Sequence, residues 1–125
     1  MIYGIGTDIL KISTIEKVVS DMSDPFILKT YTSAEIQLIN SRPIPLYSYA
    51  TRFAGKEAVF KSLRISGDNI YLNQIEILED SFGIPTVTLS ENVEKIAISK
   101  GVTNIMISLS YDTDYAIAYA TALVN

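Results

Sequence analysis

The chain has 125 residues, 48% of them hydrophobic and 19% charged, with a net charge of −4; that is the length of one domain, with enough apolar content to bury a core and too much for a disordered segment. It contains neither cysteine nor histidine, which excludes disulfides, thiolate and imidazole metal sites, Ser-His-Asp triads and histidine bases, and leaves oxygen ligands and hard ions such as Mg²⁺ or Ca²⁺ for any metal. The acidic balance speaks against nucleic acid as a partner, and no run approaches the ~20 apolar residues of a membrane span.

The first residues, MIYGIGTDIL, lack a basic start and are interrupted by Asp8, so they do not read as a signal peptide. The absence of cysteine suits a reducing compartment such as the cytoplasm. Residues 2–9 read as a strand with Tyr3, Ile5, Thr7 and Ile9 on one face; Gly4 and Gly6 leave the other face bare up to Asp8. A helix is expected over about 14–22, with Ser13 and Glu16 as a capping box, and a second over 33–40, where Thr32 and Glu35 repeat that signature. Pro43 and Pro45 close this segment, and a longer helix follows over about 46–63.

Residues 65–69 read as a turn, 71–80 as a strand, Ser81 to Gly83 as a turn and 84–90 as a returning strand. Ser90 is expected to cap a helix over about 91–100 that Gly101 stops. Two alternating strands, 105–110 and 115–124, flank the turn Tyr111-Asp112-Thr113-Asp114. The order β-α-α-α-β-β-α-β-β predicts a single α+β domain, 1–125, with a largely antiparallel sheet.

Several residues could carry chemistry. Gly4 and Gly6 let a neighbouring backbone pack closely or leave room for a ligand beside Asp8, two readings that are compatible. Asp8 itself is either a capping residue at a strand-to-helix junction or a ligand. Arg52, Lys56, Lys61 and Arg64 make a local positive field that favours a polyanionic ligand. On the helix wheel Lys56 falls inside the apolar sector and Glu57 beside Phe53, where charge is costly unless paired or bound. A salt bridge or snorkelling accounts for this pair; so do phosphate for Lys56 and a metal for Glu57. Glu57 and Lys61 also have the spacing of a helical ion pair. Ser108 and Ser110 share one sheet face, and Asp112 and Asp114 have the place of turn residues.

Gly4-Ile5-Gly6-x-Asp8, followed by Phe53, Lys56, Glu57, Ala58 and Lys61, resembles the paired motifs of the phosphopantetheinyl transferases, and the length resembles the short holo-[acyl-carrier-protein] synthase type. The similarity extends to residues 31–36, 75–85 and 108–120. It implies the 4′-phosphopantetheinyl transferase-like fold and transfer of the phosphopantetheine arm of coenzyme A to a serine of an acyl carrier protein, with adenosine 3′,5′-bisphosphate released.

By the same resemblance Asp8 and Glu57 hold Mg²⁺, and Lys56 and Lys61 stabilise the developing phosphate charge. Arg52, Arg64, Ser110 and Tyr111 join them at coenzyme A. The serine proton goes to Glu57 or to a metal-bound water. The resemblance also implies a homotrimer with sites at subunit interfaces. Tyr111 stands where the family has histidine, and Arg64 where it has glycine. A noncatalytic paralogue that binds a nucleotide or carrier is the alternative.

Overall fold

The structure, a computed structural model, describes residues 1–66 and 70–125. The chain runs β1 (Ile2–Lys11), α1 (Ser13–Val19), α2 (Pro25–Thr30), α3 (Ser33–Asn40) and α4 (Pro45–Ser62). A 3₁₀ turn at Leu72–Gln74 leads into β2 (Ile75–Glu79) and β3 (Pro85–Leu89). Then come α5 (Glu91–Ser99), β4 (Val102–Tyr111) and β5 (Tyr115–Val124). All strand pairings are antiparallel, in a three-stranded sheet of order β1-β5-β4 and a separate β2-β3 hairpin. The α+β expectation therefore holds.

Small residues set how close the layers come. α4 lies over the three-stranded sheet with Ala54 and Ala58 buried, facing Ala118, Ala120 and Ala122 of β5 within one core. Gly4 and Gly6 of β1 take this approach to its limit. A β-carbon on Gly6 would stand 2.0 Å from the carbonyl oxygen of Ala58, and one on Gly4 2.2 Å from that of Ser62. Of the two readings of these glycines, close backbone packing is the one observed. The alanine face of β5 is likewise covered by the chain's own helix. A second core gathers Ile12, Ile15, Ile27, Tyr31, Ile39 and Tyr49 beneath the first three helices.

The opposite face of the sheet has no cover among the described residues. Ile5, Ile9, Met106, Ile117 and Tyr119 are exposed there, Ile9 by 66%. β1 thus inverts the usual pattern: its glycine side is buried and its isoleucine side is open.

Several local expectations need correction. Asp8 does not end the strand; it is paired with Ala118 in the middle of the ladder, which continues to Lys11. The Ser13–Glu16 capping box does not form. The Ile12 N–H is held by the Asp114 carbonyl at 2.8 Å, so the cap position falls on Ile12, in a helical conformation with no capping side chain. The Thr32–Glu35 box forms in both directions. α2 was not anticipated; Asp24 caps it by accepting from the Phe26 N–H at 2.9 Å, and Pro25 fills its first turn. Pro45 likewise opens α4 instead of ending the preceding segment. The turn expected over 65–69 falls largely on 67–69, outside the described residues. Gly101, at φ 76°, ends α5 as expected.

Candidate active site

β1 and α4 run side by side, and the glycine contacts fix their register. Gly4 meets Ser62 and Gly6 meets Ala58; two residues further along β1, Asp8 comes beside Glu57, whose titration responds to the Asp8 charge. The Lys61 Nζ, one helical turn beyond Glu57, donates to the Asp8 carboxylate at 3.2 Å and to the Thr7 carbonyl at 3.0 Å. Burial, and then the charge of Asp8, push the Glu57 carboxyl above its ordinary range, while Lys61 acts in the opposite direction. Asp8 and Glu57 are only partly buried, and the Lys61 side chain is half exposed. The spacing of Glu57 and Lys61 suggested a helical ion pair; the lysine instead reaches the acid of the strand.

Such a pair is suited to a cation. A carboxylate whose ionisation is disfavoured by burial and by a neighbouring acid gains from a shared positive charge. Among the described residues no cluster of three or more acidic, histidine or cysteine ligands exists. Mg²⁺ fits that donor set, because it is commonly held by one or two carboxylates and completed by waters and substrate phosphate oxygens.

A cleft of about 540 Å³ opens at the N-terminal end of α4. Its walls include Arg42, Tyr47, Arg52, Gly83, Pro85 and Tyr111. Tyr47 and Tyr111 stack with ring centroids 4.8 Å apart and planes 17° apart. Arg42 and Arg52 both engage Glu79, and the Arg42 Nε is buried without a partner among the described residues. Ser110 lies on the open sheet face, in a shallower groove with Ile9, Tyr111 and Asp112. Asp112 is a turn residue: it accepts from the N–H groups of Asp114 and Tyr115, and these bonds lower its pKa.

Two of the residues expected at coenzyme A, Lys56 and Arg64, do not line this cleft. The Lys56 side chain is wholly buried and its Nζ is enclosed by Glu35, at 2.8 Å, the Leu72 carbonyl, at 3.1 Å, and the Ile75 carbonyl. Burial pulls its pKa down, and the Glu35 carboxylate opposes that shift. All three ammonium hydrogens have acceptors, so the salt-bridge reading of Lys56 is the one the fold realises.

Arg64 sits at the far end of α4, in a left-handed conformation at φ 56°, with its guanidinium over the Tyr3 ring. At about 1.5 Å per residue, that is roughly 25 Å of helix away from Tyr47 and its stacking partner Tyr111. Arg64 therefore does not supply the charge that Tyr111 lacks within this chain. Arg52 does reach the cleft, although its Nε donates inward to the Ile77 carbonyl at 3.2 Å. Sequence reasoning missed Glu35 and Tyr47. The capping box had marked Glu35 as a cap alone, and nothing local pairs Tyr47 with a residue 64 positions later.

Comparison with known proteins places this geometry. The sequence profile of the 4′-phosphopantetheinyl transferase superfamily matches residues 4–120. A holo-[acyl-carrier-protein] synthase of Ruminiclostridium cellulolyticum is 41% identical over 93% of this chain and 88% of its own length. The holo-acyl-carrier-protein synthase structure from Plasmodium yoelii superposes with a TM-score of 0.85 at 30% identity, over 100% of this chain and 97% of that one. A Helicobacter pylori holo-[acyl-carrier-protein] synthase in complex with coenzyme A gives 0.81 at 29% identity, over 95% and 99%.

Proposed function

This chain belongs to the 4′-phosphopantetheinyl transferase superfamily, and from that premise we propose that it is a holo-[acyl-carrier-protein] synthase. It takes the 4′-phosphopantetheine arm from coenzyme A, attaches it to a serine of an acyl carrier protein and releases adenosine 3′,5′-bisphosphate. The observation that carries this reading is the meeting of Asp8 and Glu57 between β1 and α4, with Lys61 beside them.

In the reaction the serine oxygen attacks the β-phosphorus of coenzyme A and gives its proton to Glu57 or to a water, the bond to the bridging oxygen breaks, and negative charge develops on the departing nucleotide. Asp8 and Glu57 would hold Mg²⁺, which supplies electrostatic stabilisation of that charge when bound. Lys61 is half exposed and tied to Asp8 by an open contact, so it can turn to an incoming phosphate. The cleft beside Arg42 and Arg52, with its tyrosine wall, offers positive charge and a flat apolar surface to the nucleotide. Tyr111, in the histidine's place, contributes a ring and one neutral hydroxyl there.

We also read the active form as a homotrimer acting in the cytoplasm. The uncovered apolar sheet face supports assembly, since exposed patches of this kind mark protein contacts. Among the described residues no helix is long and apolar enough to cross a membrane.

Mass spectrometry of an apo acyl carrier protein incubated with this protein, coenzyme A and Mg²⁺ tests the proposal. The carrier should gain one phosphopantetheine, and a chelator should prevent it. An unchanged carrier, with adenosine 3′,5′-bisphosphate still bound by the protein, would favour the noncatalytic reading.

A further inference from the structure

Among the described residues β2 pairs with β3 alone, and its second edge has no strand neighbour. Side chains occupy that edge instead. The Ile75 carbonyl accepts from Lys56, the Ile77 carbonyl accepts from the Arg52 Nε, and the Ile77 N–H donates to the second carboxylate oxygen of Glu35 at 2.8 Å. The spacings match. Residues 52 and 56 are one helical turn apart, with a rise of about 6 Å. Residues 75 and 77 are one strand repeat apart, about 6.7 Å. Two cations on α4 thus meet two successive outward carbonyls of β2, and an acid of α3 takes the N–H between them.

Full burial of both Lys56 and Glu35 needs a reason beyond cohesion, because apolar side chains of equal volume often stabilise as well or better. What a directional network adds is one angular setting. Where α4 meets β1 and β5 the seam is built of glycine and alanine, while Ile107 and Leu109 of β4 pack at Gly55; on the β1 side, where Glu57 must point, small residues set a distance and interlock little. Lys56 and Glu57 diverge by about 100° on the helix. With Lys56 held on β2, Glu57 is turned to β1, where Asp8 stands.

We propose that Lys56, Glu35 and Arg52 are positioning residues of the transfer site: by capping the free edge of β2 they fix the rotation of α4 that presents Glu57 to Asp8. The inference rests on the reading of Asp8 and Glu57 as the seat of transfer.

The test uses the full chain with Glu35→Gln and Lys56→Met, singly and together. Its readouts are kcat, KM for coenzyme A, and hydrogen exchange of the Ile77 amide. Glu35 lies on α3 and is wholly buried. Glu35→Gln should nevertheless lower kcat about 10-fold, with KM for coenzyme A nearly unchanged, as loss of a supporting partner does. The Ile77 amide should lose protection. Lys56→Met should show the same split, and the double variant should be no worse than the weaker single one.

A raised KM in Lys56→Met beside wild-type kinetics in Glu35→Gln would overturn the proposal and return Lys56 to phosphate. Unchanged kinetics in Glu35→Gln despite a freely exchanging Ile77 amide would overturn it too. Should Lys56→Met not fold, Glu35→Gln decides alone. Should the wild type transfer nothing, the functional reading fails separately. The positioning claim is then read from Mn²⁺ alone by water-proton relaxation: weaker binding in folded Glu35→Gln supports it, and equal binding refutes it.

Discussion

Helix α4 carries two charged faces about 100° apart, and they differ in every physical respect. On one, Glu57 is half-buried, its carboxyl is pushed up by burial and by Asp8, and Lys61 reaches across from an exposed position. On the other, Lys56 and Glu35 are wholly buried, opposite in charge and saturated with hydrogen bonds. The first face has an unresolved electrostatic demand that a cation and a phosphate would meet. The second has no demand left. Chemistry belongs where charge is accessible and incompletely satisfied; architecture belongs where it is enclosed and complete.

The largest effect should come from breaking the enclosed face. Lys56→Ala leaves Glu35 buried and unpaired, which costs about 3–5 kcal/mol, and urea unfolding should show it as a sharply lowered midpoint. Gly6→Ala attacks the seam beneath both faces. Its β-carbon would meet backbone atoms of α4 that cannot move singly, so a loss of about 3 kcal/mol or more is expected in the same assay.

The open face should respond in activity. Asp8→Ala and Glu57→Ala are each expected to reduce transfer by ~100-fold or more, equivalent to about 2.7 kcal/mol in the barrier, with circular dichroism unchanged. Wild-type activity in either would dissolve the distinction between the faces. At the cleft, Tyr111→Ala removes one ring of the tyrosine wall proposed to face the nucleotide, so calorimetry should find adenosine 3′,5′-bisphosphate bound several-fold more weakly.

Much of this was legible in the sequence. The strand–helix order apart from α2, the Thr32–Glu35 cap and the closing hairpin follow from alternation and capping chemistry. The two motifs also marked Asp8 and Glu57 as candidates, and the fold brings them together. What could not be read was which way each charge turns. Lys56 and Glu57 are sequence neighbours on a helix packed on several sides, and only the location of Glu35 and the free edge of β2 decides that the lysine goes inward. Those partners lie 21 and 19 residues away. The direction of β1 was hidden for a related reason. A glycine face normally signals weak packing, yet here it is the buried side because α4 presents alanine to it.

The smallest effect concerns protons. The Glu57 pKa is raised in the fold, so without metal its ionisation penalises the folded state at neutral pH; this penalty disappears as pH falls through the raised value. Stability carried by Glu57 therefore increases on acidification there, opposite to a carboxylate held in a salt bridge. Asp8→Asn removes one cause of the shift and should lower the Glu57 pKa, as followed by carboxyl carbon resonances in the metal-free protein.

The division of labour along α4 is tested most directly by urea unfolding of Glu57→Gln and Lys56→Met side by side, without metal at neutral pH. Glu57→Gln should unfold at the wild-type midpoint or above it, because a carboxyl whose ionisation the fold disfavours has been replaced by a neutral amide. Lys56→Met should unfold well below, because Glu35 has lost its counter-charge. Equal midpoints, or a larger loss in Glu57→Gln, would contradict that division of labour.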